Sequence, residues 1–193
     1  MERELKYIDM EDQPIAMHPK KFALWLFMVT VVMVFAGLTS AYIVRQSEGN
    51  WLEYDLPGIF WVTSGIAVLS SLTLQWAYYS ARKDNFVNIK IGMALTVLLG
   101  IGFLVGQWYS WVAMVDREVF FVGNPSGSFL YVFTGLHAAH LISGVIFLII
   151  VLISTFRLKV HSRDMTAMEM ATTYWHFLGG LWLYLFMFLL LNH

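Results

Sequence analysis

The chain contains no cysteine, which excludes disulfides, thiolate metal sites, iron–sulfur ligation and a cysteine nucleophile. Charge is scarce as well. Only 13% of its 193 residues are Asp, Glu, Lys or Arg, against roughly 25% in an ordinary soluble domain. The net charge is −1, so no global field draws the chain to nucleic acid or to an acidic partner. Asp and Glu are missing from every long apolar stretch. A carboxylate-rich metal site or an acidic proton relay therefore has nothing to be built from there. Residue patterns for hydrolysis or phosphate cradling are lacking too, and no internal repeat supports a transporter made of inverted halves.

What remains is greasy and aromatic: 59% of residues are hydrophobic and 17% are Phe, Trp or Tyr. Five uncharged runs, over residues 22–44, 59–81, 91–115, 129–156 and 170–191, are each long enough to cross an apolar layer about 30 Å thick. The fold expected is all-α, a polytopic bundle of five transmembrane helices over residues 21–193 behind a polar tail of residues 1–20. The tail lacks the basic end and apolar run of a cleavable signal, so it is expected to be retained and partly disordered. Ten of the twelve Lys and Arg residues fall on one side: Arg3, Lys6, Lys20, Lys21, Arg82, Lys83, Lys90, Arg157, Lys159 and Arg163. Only Arg45 and Arg117 fall on the other. The positive-inside rule then sets the N-terminus inside and the C-terminus outside.

Small residues mark expected helix contacts: Gly37, Thr39, Ser40 and Ala41 in the first run, Thr63–Gly65 and Ser70–Ser71 in the second, and Gly135 and Gly144 in the fourth. Gly102 and Gly106 form a G-x-x-x-G, a weak sign of close contact because such spacings are frequent. In the turn cluster at 123–128, Ser126 or Ser128 is the expected cap of the fourth helix.

Three histidines lie inside the runs. His137 and His140 are three residues apart on one face of the fourth helix, and His176 sits in the fifth. Haem ligation by His140 and His176 from separate helices is one reading. Hydrogen bonding across helix contacts is the other, and the chemistry of the residues favours it, since no further histidine completes a second pair. Trp175 and Trp182 are seven apart, hence nearly on one face, and read as core packing. Glu169 opens the last helix, where a carboxylate favours the helix dipole. Arg157, Lys159 and His161 form a basic cluster suited to an anionic lipid headgroup.

Thr134-Gly135-Leu136-His137-Ala138-Ala139-His140-Leu141-Ile142-Ser143-Gly144 resembles the T-G-x-H-G-x-H-V-x-x-G signature of subunit III of haem–copper terminal oxidases. Tyr174-Trp175-His176-Phe177 with Trp182 looks like that family's Y-W-H-F-V-D-x-x-W, and Glu169 falls where the family often has a glutamate. Leu24–Phe27 with Val32–Phe35, and Gln107, resemble two further segments in the same order. Three family carboxylates are absent: Val31, Ser110 and Gly179 occupy their positions. The chain resembles the five-helix bacterial form, which lacks the first two of seven helices.

The resemblance implies a non-catalytic subunit of a respiratory oxidase, with no catalytic residue, cofactor or metal of its own. Haem and copper are expected in the partner subunits and phospholipid on this one. The expected partners are oxidase subunit I, subunit II, a small subunit IV and a respiratory supercomplex, in the bacterial cytoplasmic (inner) membrane. Cytochrome c is the expected electron donor, with a quinol oxidase as an alternative. A relative serving a nitric oxide reductase and a stand-alone b-type cytochrome are the alternatives.

Overall fold

The computed structural model describes residues 18–157 and 165–192. They form five helices: α1 (Pro19–Ser47), α2 (Ile59–Arg82), α3 (Phe86–Val115), α4 (Pro125–Phe156) and α5 (Thr166–Leu191). All five are long and apolar enough to cross a membrane. Each extends past the apolar run that marks it in the sequence, because polar residues at the ends join the helix as its first or last turn. Lys159 and His161 of the basic cluster, like most of the N-terminal tail, lie outside the described residues.

Helix ends are set by local chemistry. His18 accepts from the Lys20 amide ahead of Pro19, and the Asn85 side chain accepts from the Asn88 amide. The cap of α4 is Asn124, whose Oδ1 accepts from the Ser126 amide at 3.0 Å. Neither serine caps the helix as expected. Ser126 Oγ instead donates to the Leu52 carbonyl, and Ser128 Oγ to that of Phe121. Asparagine wins because its carbonyl reaches the first free amide while its Nδ2 donates to Asn50 O. These bonds stitch the α1–α2 and α3–α4 connections together. Beneath them Tyr54 is buried, and desolvation pushes its phenol well above the usual tyrosine range.

α2, α3, α4 and α5 pack as a ring, each against the next and α5 back onto α2. α1 lies outside the ring against α4 and α5. It keeps most of its surface exposed, including Phe22, Trp25, Leu26, Met33 and Val44. Between α1 and α5 runs an apolar groove of about 450 Å³, lined by Val32, Phe35, Ala36, Phe177, Gly180, Leu181 and Tyr184.

The glycines sort by what faces them. A Cβ on Gly92 would meet Ala77 Cβ at 2.8 Å, one on Gly100 the Trp175 ring at 2.7 Å, and one on Gly106 Thr63 Cγ2 at 2.6 Å. Gly102 and Gly135 have nothing within 4 Å. The G-x-x-x-G is therefore not a contact pair: Gly106 meets Thr63, while Gly102, one turn away on the same face of α3, has no neighbour close enough to need a glycine. Gly135 and Gly37, expected to admit a neighbour, are likewise open.

A matched pair of substitutions follows from this. Gly92→Ala forces α2 and α3 apart and should cost about 1–3 kcal/mol relative to Gly102→Ala. Gly102→Ala should match or exceed the parent, as alanine is the better helix former by roughly 1 kcal/mol. Thermal unfolding of the two variants in the same detergent checks the order.

Candidate functional site

Trp175, His176, Trp182, His137 and Gly144 meet where α5 faces α2 and α4. Trp175 and Trp182 are both buried, and each indole N–H finds a hydroxyl on α2. Trp175 Nε1 donates to Ser70 Oγ at 3.0 Å, and Trp182 Nε1 to Ser64 Oγ at 3.0 Å. The serines reached are among the small polar positions of the second run. A buried indole needs such an acceptor, since nothing in hydrocarbon replaces water for its N–H. Phe60 stacks parallel to Trp182, with Phe103 edge-on at 4.9 Å. Gly144 of α4 lies against this seam: a Cβ there would meet Leu178 Cδ1 at 2.8 Å and the Trp175 ring at 3.3 Å.

The three intramembrane histidines have three different environments. His176 Nε2 donates to Gln75 Oε1 of α2 at 3.0 Å, the cross-helix bond expected for a histidine in hydrocarbon. His140 does otherwise. Its Nδ1 donates to Leu136 O one turn back in its own helix, and its ring lies 6.2 Å from Phe27 and 5.9 Å from Phe35 of α1. His137 is fully buried, lies 5.1 Å from the Trp182 ring, and has no hydrogen-bond partner on either nitrogen. Bridging of helices by all three is thus corrected to bridging by His176 alone. The cause is angular: a three-residue step on a helix turns the side chain by about 60°. That aims His137 into the ring and His140 at α1.

The haem reading needs His140 and His176 to converge, and they do not. One faces α1 and the other is engaged with α2. Tyr174 sits beside His140, its hydroxyl 2.8 Å from Ser143 Oγ and its ring centroid 5.8 Å from that of Phe27. Phe177 is half-buried in the α1–α5 groove. Gln107 is buried on α3, with its amide unpartnered.

Glu169 has the first-turn position expected, and it also pairs with Lys21 of α1. This partner, far away in sequence, was not legible beforehand. At the opposite end of α1, Tyr42 Oη donates to Asn192 O at 2.6 Å and Gln46 Nε2 to the same carbonyl at 3.1 Å. α1 is therefore tied to α5 at both ends. Arg157 is the C-cap of α4 and the one member of the basic cluster within the described residues.

With this geometry in place, known proteins give a direct comparison. The family model of cytochrome c oxidase subunit III matches residues 8–192. The chain belongs to the cytochrome c oxidase subunit III family. A Corynebacterium diphtheriae protein, cytochrome c oxidase subunit 3, is 30% identical over 83% of this chain and 82% of its own length. A probable cytochrome c oxidase subunit 3 from Nocardia farcinica is 32% identical over the same shares. One from Rickettsia felis is 33% identical over 78% of this chain but only 55% of its own length. The chain thus aligns with about four fifths of the first two relatives and with little more than half of the third. It is a multi-pass protein of the bacterial cytoplasmic membrane.

Two experiments test the geometry. In a double-mutant cycle, His176→Leu should weaken the fold by about 1–2 kcal/mol, and Gln75→Leu should cost little more once His176 is gone. Additive losses would show the bond to carry nothing, and an altered haem spectrum in any partner would show the wrong role. For the ion pair, Lys21→Glu or Glu169→Lys should each lower the yield of a disulfide engineered between cysteines at the Lys21 end of α1 and the Glu169 end of α5. The double reversal should restore it. The background is clean because the chain has no cysteine of its own.

Proposed function

We propose that the chain is the non-catalytic subunit III of a respiratory haem–copper oxidase that takes electrons from cytochrome c, reduces O2 to water and pumps protons. The observation that carries this reading is the family match across residues 8–192, with relatives named as cytochrome c oxidase subunits. Those names favour cytochrome c over quinol as the donor. The spans bring no Asp or Glu to the membrane interior, the groups on which proton relays there are commonly built. The role is then one of support: the chain packs against subunit I, with subunit II, a small subunit IV and a respiratory supercomplex as further partners. Haem and copper belong to those partners.

His137, His140, Gly144, Glu169, Tyr174, Trp175, His176, Phe177 and Trp182 act in this reading as the framework that keeps the docking surface in shape. Arg157, Lys159 and His161 serve a phospholipid headgroup on the inner side, with the N-terminus inside as the basic residues direct. An acyl chain suits the apolar groove between α1 and α5.

Affinity purification of the tagged chain in mild detergent tests the assignment. Haem that travels with a larger co-purifying subunit supports it, and haem bound to this chain alone overturns it. Deleting the chain should leave the haem content of the oxidase nearly intact while shortening its active lifetime under continuous turnover. Loss of assembled subunit I on deletion would instead make the chain an assembly factor.

A further inference from the structure

We propose that the centre of the helix ring is a binding site for one water molecule, held between the imidazole of His137 and the hydroxyl of Ser70. The first observation is the histidine. His137 is completely buried, and neither ring nitrogen has a protein partner. A neutral imidazole carries one N–H donor and one acceptor, and both lose hydration when the ring is buried. Burial without replacement costs the full desolvation of each group. Phe103 and Trp182 flank the ring with aromatic surface and give neither nitrogen a conventional partner.

The second observation is the space beside it. A void lined by residues of α2, α3, α4 and α5 touches both His137 and Ser70, and it offers about 10 Å³ to the centre of a water molecule. That is room for one water and no more. Ser70 supplies the second contact. Its Oγ accepts from Trp175 Nε1 and donates to Ala67 O at 2.7 Å, which leaves one lone pair of the hydroxyl free. A water there donates one hydrogen to Ser70 Oγ. Toward His137 it is donor or acceptor, whichever the tautomer requires. Two polar partners meet the minimum for an ordered internal water. The rest of the lining is mainly apolar, with no carboxylate, so a cation has no counter-charge at this position. The water would join His137 of α4 to the Ser70–Trp175 pair of α2 and α5, adding α4 to the polar seam.

The test is a structure of the full chain, with whatever subunits co-purify from the membrane, at about 2 Å. One density peak is expected within 2.7–3.2 Å of both a His137 ring nitrogen and Ser70 Oγ. A void without density, or a peak in contact only with the apolar lining, would overturn the proposal. Ser70→Ala should remove the peak, and a peak that persists there refutes the role of Ser70. Should that variant fail to accumulate, water-edited nitrogen NMR of the unaltered chain decides. A transfer from water to the His137 ring nitrogens is expected, and its absence sinks the idea.

Discussion

The register between α5 and α2 rests on two indole N–H groups that each find one hydroxyl. Apolar helices gain nothing from hiding from lipid, so their association relies on packing and on bonds of this kind. Trp175 and Trp182 are two helical turns apart, and Ser70 and Ser64 lie at a near-matching spacing in the opposite direction along α2. A slide of one residue or a rotation of about 100° would orphan both donors together. The glycine pattern follows from the same constraint. The Trp175 ring occupies the space that side chains at residues 100 and 144 would otherwise fill. The tryptophans thus decide how closely α3 and α4 approach.

Much of this was legible beforehand, for reasons that separate cleanly. Composition alone announces five spans, because a charge-free stretch of such length has few other uses. The seven-residue step between Trp175 and Trp182 puts both on one face without knowledge of the partner. The partners were another matter. Ser64 and Ser70 look no different in sequence from Ser71 or Ser154, and only the docking of α2 on α5 selects them. Gly106 and Gly102 are alike on paper, yet Thr63 faces only the first. His137 and His140 illustrate the limit most clearly. Spacing assigned them one face, but the 60° between them separates a buried position at the ring centre from one beneath α1. The functional reading came from motif order, and the geometry adds a frame rather than a chemistry.

The positions that lack the family's carboxylates are instructive. Val31 is buried, Ser110 bonds back to Gly106 O within its own helix, and Gly179 has Ser71 Oγ as its nearest facing atom. One turn before Ser110 the amide of Gln107 stays buried and unpartnered, so the packing has closed around neutral groups without satisfying all of them. The α2–α5 seam is held through neutral hydrogen bonds, which salt leaves alone, whereas the Lys21–Glu169 pair between α1 and α5 is open to screening.

The ties at the two ends of α1 have a consequence for biosynthesis. Lys21 meets Glu169, and Tyr42 and Gln46 meet Asn192, so the first helix is fastened by the last one. Spans leave the ribosome in order, and α1 enters the membrane while α5 is still untranslated. Through the synthesis of α2, α3 and α4 it therefore waits beside an incomplete ring, its lysine and tyrosine without their partners. A ribosome that stalls before residue 169 leaves α1 held by α4 alone, through packing such as Tyr42 on Phe129 and Phe133, with neither of its polar ties made.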